Sequence, residues 1–268
     1  MSFPKGQSYL AILDDGRALT RVDRTGEVIC WQTGSDTKPR ELWRTRSSPA
    51  NQEYPFPIHV SVTPDDRRVA VLYPGSVVVV DLDTQSAKSA QEHSVSYGNR
   101  PGQTISISPD GKMIAVTGLG GDRVRLYNPG SLRDGYEELT PDEAIASKDS
   151  ACVFSRDGQR LYVANDDGWV RVFDPATRQE LTAERWQAHS TEITAMAISQ
   201  SGNVIATAAG DLTILWSAEK TANQPRRERL RLQTGDRSRN WLQFCGDDTI
   251  LFHCGPGGPI EAWAAPRS

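Results

Sequence analysis

The side chains able to do chemistry are few in this chain of 268 residues, and they are scattered. Its four histidines are His59, His93, His189 and His253, and no two stand in the His-x-His or HExxH spacing that holds zinc. No Gly-x-Ser-x-Gly elbow presents a nucleophilic serine, and no Gly-Lys-Ser/Thr element cradles a phosphate. The glycine-rich stretches at 118–121 and 255–258 therefore read as loops. Asp166-Asp167-Gly168 begins like a calcium loop but lacks the spaced oxygen ligands and the closing glutamate. Catalysis needs a nucleophile with its base, paired carboxylates or converging metal ligands. None is legible, so the expectation is a protein that is not an enzyme and holds no cofactor. Cys30, Cys152, Cys245 and Cys254 form no CxxC pair and sit in or beside apolar runs, as small free hydrophobes do. Cys245 and Cys254 are the two that could face each other on neighbouring strands.

What positions these residues is a repeat. Leu13-Asp14-Asp15-Gly16, Thr63-Pro64-Asp65-Asp66, Ser108-Pro109-Asp110-Gly111, Ser155-Arg156-Asp157-Gly158, Ser199-Gln200-Ser201-Gly202 and Cys245-Gly246-Asp247-Asp248 are turn sequences whose last residues lie 50, 45, 47, 44 and 46 apart. About 15 residues after each comes a β run ending in Trp31, Val80, Tyr127, Phe173, Trp216 or Trp263, at intervals of 49, 47, 46, 43 and 47. Two markers holding one period over six copies predict six strand–turn–strand–loop–strand units. In the fourth, strands are expected at 151–154, 160–164 and 170–173, with an outer strand over 179–186. Residues 141–147 have room for one helical turn.

Four short strands per unit, repeated radially, predict an all-β propeller of about six four-stranded blades. A seventh blade, or a ring that is incompletely closed, stays open. The whole chain, 1–268, then forms one domain, with units at roughly 8–50, 51–94, 95–147, 148–190, 191–236 and 237–268. These residues resemble the WD-repeat family. Ser108-Pro109-Asp110-Gly111 matches its first turn, and Tyr127-Asn128, Phe173-Asp174 and Trp216-Ser217 stand where its Trp-Asp falls. Its Gly-His becomes Ala188-His189. The resemblance implies a hydrogen-bonded chain of His189, Thr207, Asp211 and Trp216 that stiffens the fifth blade, although the run from Asp211 to Trp216 is one residue short of the family spacing. Residues 161–165 and 170–177 are also similar to repeats of lactonase-like propellers. That likeness leaves a propeller hydrolase with a channel metal as an alternative.

Thirty basic and 34 acidic residues, with no long block of either sign, give no reason to expect nucleic acid or an anionic membrane as partner. The basic cluster Arg226-Arg227-Glu228-Arg229, followed by Arg231, reads as a solvated outer strand. No apolar stretch approaches membrane-spanning length and the first residues carry no leader pattern, so a cytoplasmic protein is expected. The resemblance implies a scaffold that docks a protein or peptide on the face carrying the outer-to-inner and second-to-third strand loops. The candidates on that face are Tyr54, Phe56, Tyr73, Arg100, Arg123, Lys148, Asp167, Arg237 and Arg239. A monomer is expected, with a dimer through the ring seam, or a propeller belonging to a larger assembly, as the alternatives.

Overall fold

The repeated turns are built by local side-chain chemistry. The computed structural model describes residues 7–12, 17–22, 27–32, 40–45, 59–73, 76–84, 86–91, 104–117, 123–132, 135–139, 148–219, 226–233, 241–245, 248, 250–254 and 260–264. Thr63, Ser108 and Ser155 donate their hydroxyls to the carboxylates of Asp65, Asp110 and Asp157 at 2.6, 2.7 and 2.5 Å. Each carboxylate also accepts a backbone N–H two residues on, from Arg67, Lys112 or Gln159. Each hydroxyl oxygen accepts the N–H of Arg68, Met113 or Arg160 at 3.0, 2.9 and 2.9 Å. In the next copy Ser201 replaces the aspartate and Ser199 still accepts from Val204 at 3.0 Å. Positive φ at Asp66, Gly111, Gly158 and Gly202 closes the four turns.

Each turn joins the first two strands of an antiparallel sheet. Blade 1 holds β1 (Gln7–Ile12), β2 (Arg17–Val22), β3 (Val28–Gln32) and β4 (Arg40–Thr45). Blade 2 holds β5 (His59–Val62), β6 (Arg68–Tyr73), β7 (Ser76–Asp81) and β8 (Ser86–Gln91). Blade 3 holds β9 (Ile105–Ile107), β10 (Ile114–Val116), β11 (Arg125–Tyr127) and β12 (Glu137–Glu138). Blade 4 holds β13 (Asp149–Phe154), β14 (Leu161–Asn165), β15 (Trp169–Phe173) and β16 (Trp186–Gln187). Blade 5 holds β17 (Ala195–Ile198), β18 (Val204–Ala209), β19 (Leu212–Ser217) and β20 (Glu228–Gln233). Blade 6 shows three strands among the described residues, β21 (Trp241–Cys245), β22 (Ile250–Cys254) and β23 (Ile260–Ala264). First strands neighbour one another in chain order, β1 on β5, β5 on β9, β9 on β13, β13 on β17 and β17 on β21. Those of blades 2 to 6 enclose one cavity, so the sheets radiate from a common centre.

The core lies between blades, which is why the strands are buried on both faces. In β6, Val69, Val71 and Tyr73 pack toward blade 1 with Val28 and Cys30, while Ala70 and Leu72 pack toward blade 3 with Ile105 and Ile114. This alternation corrects the expected docking role of Tyr73. It is the next residue in the period-two set of Val69 and Val71, and it is 0% exposed. The outer strand expected over 179–186 is also corrected. Blade 4 pairs there through a single bridge from Phe173 to Glu180, then a 3₁₀ turn at Thr182–Glu184, then β16. The Asp174 carboxylate accepts the N–H groups of Ala176 and Thr177, a side-chain-closed turn that competes with strand pairing. Cys245 pairs with Ile250 and Cys254 with Trp241, so the two cysteines stand at opposite ends of one hairpin, beyond the reach of a disulfide. Residues 141–147 lie outside the described residues.

Candidate functional site

Two places bring polar side chains together. One is the central cavity, about 160 Å³, walled by the inner strands of blades 2 to 6. Its two sides differ. In blade 2, His59 Nδ1 and Ser61 Oγ accept the N–H groups of Ile105 and Ile107 in blade 3, at 3.4 and 3.0 Å. In blade 3, Thr104 Oγ1 and Ser106 Oγ accept the N–H groups of Cys152 and Phe154 in blade 4, at 3.0 and 3.1 Å. An inner strand would otherwise leave these donors unmet. On the far side, Val153, Met196, Leu242 and Phe244 make the wall apolar. His59 is neutral, because desolvation in the channel draws its pKa down to about 4. Its Nδ1 lone pair is already engaged by Ile105. The separations of 46 and 48 residues in these bonds equal the repeat period, the one sequence signal that could have found them.

The second place is the face of the connecting loops. Arg123, Lys148 and Asp167 are exposed there, at the ends of strands in blades 3 and 4. The Asp167 carboxylate accepts the N–H of Trp169 at 3.1 Å and stands 3.7 Å from Arg171. Arg171 in turn meets Glu180, whose side chain is wholly buried, at 3.3 Å. The Asp166 carboxylate accepts the N–H of Lys148 at 3.0 Å. Both aspartates are thus committed to shaping the turn. Tyr54, Phe56, Arg100, Arg237 and Arg239 lie outside the described residues, as does His93. Among the described residues no three His, Cys, Asp or Glu side chains converge as metal ligands would.

The stiffening chain of blade 5 forms in three of its four members. The Trp216 indole N–H donates to Thr207 Oγ1 at 2.9 Å, and Thr207 Oγ1 lies 2.8 Å from His189 Nε2. Thr207 is fully buried and His189 nearly so. Asp211 is the correction: its carboxylate makes no hydrogen bond to His189. The pairing of Ala209 with Leu212 leaves Gly210 and Asp211 as a two-residue turn, and the short run to Trp216 holds the carboxylate at the hairpin tip. His189 and Asp211 instead share a depression of about 680 Å³, walled also by Gln187, Ser190, Thr191 and Arg231. Burial draws the His189 pKa down to about 4, so this imidazole is neutral as well.

Arg226 corrects another expectation. Arg227, Arg229 and Arg231 are solvated, as an outer strand requires, but Arg226 is 6% exposed. Its guanidinium lies 4.3 Å over the ring of Trp186 and 5.5 Å over that of Tyr162. It donates to the carbonyls of Ser217, at 2.9 Å, and Ala218. Trp186 meets Trp216 edge-on at 6.1 Å. The arginine therefore bridges blades 4 and 5 through cation–π contact rather than facing water.

Comparison with known proteins follows this architecture. A family model described as lactonase, 7-bladed β-propeller, matches residues 3–223. Its description names seven blades, where the described strands form six sheets. The Denticleless protein homolog of Danio rerio is 38% identical over 103 residues, 34% of this chain and 16% of that protein, so the match spans a small part of its length. The β-propeller domain of Myceliophteria thermophila Cps50 (Swd1) has a TM-score of 0.74 at 14% identity, over 98% of this chain and 84% of that one. The resemblance to WD-repeat propellers, and the similarity to lactonase-like ones, both hold.

Proposed function

The chain belongs to the lactonase, 7-bladed β-propeller family, and from that premise we propose that it works as a protein-interaction platform, docking a protein or peptide on its loop face. The observation that carries this reading is the contrast between the two ends of the barrel of blades. Hydroxyl–carboxylate turns, joined blade to blade, occupy one end. Exposed Arg123, Lys148 and Asp167 and an open depression with a neutral imidazole on its floor occupy the other. Likeness to the Swd1 and Denticleless proteins supports a binding module. Cytoplasmic residence and a monomeric state belong to the same proposal.

The test is capture from host lysate with wild type, with an Arg123→Ala, Lys148→Ala, Asp167→Ala variant, and with an Arg67→Ala, Lys112→Ala variant of the opposite face. Loss of the same captured protein in the loop-face variant alone supports the reading. Equal capture by all three, or equal loss in both variants, overturns it. The family match favours a second reading, a hydrolase acting in the channel. There His59, Ser61, Ser106, Gln200 and Gln243 are among the polar side chains that line the channel. Lactone hydrolysis that wild type performs and His59→Gln abolishes, in a variant with an unchanged melting temperature, would replace the platform with an enzyme.

A further inference from the structure

Around the central channel, each inner strand turns two side chains toward the next blade. They stand four and two residues before the turn residues Thr63, Ser108, Ser155 and Ser199. In blades 2 and 3 they are His59 and Ser61, then Thr104 and Ser106, and each accepts an inner-edge amide of the following blade. In blades 4 and 5 they are Ala151 and Val153, then Ala195 and Ala197. These pack toward blades 5 and 6 and have no atom that could accept.

The amides left over belong to Met196 and Ile198 on β17 and to Leu242 and Phe244 on β21. Both strands are sheet edges, paired on one side. The Ser199 N–H donates to the Val204 carbonyl, so antiparallel alternation turns Ala197 to β18 and the N–H and C=O groups of Met196 and Ile198 to the channel. Ser108 and Ser155 make the same bond, to Met113 and Arg160, and there the outward amides are the ones that side chains meet. The Ile198 carbonyl shows its outward direction by accepting from Arg156 at 3.4 Å. Pairing of Cys245 with Ile250 puts Leu242 and Phe244 in the equivalent positions. All four residues line the cavity, and among the described residues no side chain accepts their outward N–H groups. Main-chain donors so placed need an acceptor inside the channel.

This side of the channel sets main-chain donors and acceptors next to one another among apolar side chains. At about 160 Å³ the cavity is near the size, about 150 Å³, that houses a benzene ring. It offers little to a charged ligand. Arg156, in its wall, donates to the carbonyls of Ser199 and Ile198, and Asp66 adds a carboxylate. We propose that the far side of the channel binds a small uncharged molecule in which an amide is joined to an apolar ring or chain. The amide oxygen accepts inner-edge N–H groups of β17 and β21, and the amide N–H donates to the carbonyls beside them. The apolar part lies on Val153, Met196, Leu242 and Phe244. A carboxylate of the same shape has acceptors alone and sets its charge against those carbonyls. The site asks for no catalysis and does not depend on the loop-face platform, so either can fail without the other.

The test uses the full chain, isotope-labelled at its three methionines, with benzamide as the probe and benzoate as its charged counterpart. The Met196 amide and methyl signals are expected to move with benzamide, while those of Met113, beside the blade 3 turn, stay in place. Benzoate is expected to bind about tenfold more weakly, as loss of one hydrogen bond allows. Val153→Ser puts a hydroxyl where Ser61 and Ser106 carry theirs. It meets the Ile198 amide from within and is expected to weaken benzamide about tenfold. Val153→Ala opens the same space without an acceptor and is expected to bind as wild type does. An unchanged Met113 signal shows that each variant has folded. No movement at Met196, benzoate bound as tightly as benzamide, or equal binding by the two Val153 variants would overturn the site.

Discussion

At one end of the propeller, blades 2 to 5 repeat one hydroxyl-centred turn, and at the other end no two connections share a sequence. The turn end is also stitched across blades. Arg68 donates to the Gly111 carbonyl at 2.7 Å, Arg156 donates to Ser199 at 2.9 Å, and the Asp248 carboxylate accepts the N–H groups of Gln200 and Ser201. Its polar groups are spent on one another. The loop end leaves Arg123, Lys148 and Asp167 exposed. Repetition marks where stability is made, and divergence marks where a partner can be read.

Substitutions can break this contrast or sharpen it. The largest effect expected falls on the loop end, where Gly168 holds a φ of +82 and a Cβ would come within 2.2 Å of the His189 carbonyl. Gly168→Ala should cost about 4 kcal/mol in urea denaturation, from crowding and backbone strain together. Gly158→Ala at the turn end, with φ +70 but its nearest contact at 3.6 Å, should cost only about 1 kcal/mol. A comparable cost at both positions would dissolve the distinction.

Acid should act through the two neutral imidazoles. Each has a folded pKa of about 4 against 6.5 for the free side chain. The unfolded chain therefore takes up protons first as the pH falls. Stability that is complete above pH 6.5 is lost down to pH 4, by up to about 3 kcal/mol for each histidine. Melting temperatures between pH 7.5 and 4.5 check this, and His59→Gln should flatten part of the slope. Thr207→Val leaves the Trp216 indole and the His189 ring without their shared partner, at an expected cost of about 2 kcal/mol. Ser155→Ala removes one repeated turn bond and should cost about 1 kcal/mol, while Asp211→Asn should stay within about 0.5 kcal/mol, as a half-buried hairpin tip allows. A large loss at Asp211 would make it a structural residue after all.

How much of this was legible beforehand follows from the range of the forces. Asp-Gly turns and strand-ending aromatics are set by neighbours in sequence, so the period near 46 placed the blades, and the strand expected at 170–173 runs one residue longer, over Trp169–Phe173. Tyr73 was read as a loop residue because nothing local shows that β6 continues its alternation to its last position. Arg226 was read as solvated because its burial is decided by Tyr162 and Trp186 on the preceding blade. Asp211 was placed by family pattern in a hydrogen-bonded chain that a hairpin one residue shorter does not allow. The shared signal for the inner-strand acceptors was present at His59, Ser61, Thr104 and Ser106, but a lone Ser or Thr in a strand carries no mark of the amide it serves.

Those acceptors have a direction. In each case the earlier blade holds the oxygen or nitrogen and the later blade brings the amide: His59 and Ser61 to Ile105 and Ile107, Thr104 and Ser106 to Cys152 and Phe154. As the chain leaves the ribosome, blade 2 is therefore a finished template before blade 3 arrives, and blade 3 before blade 4. The order of synthesis and the order of docking coincide, and a circular permutant that made blade 3 before blade 2 would have to hold its inner amides in water until the template caught up.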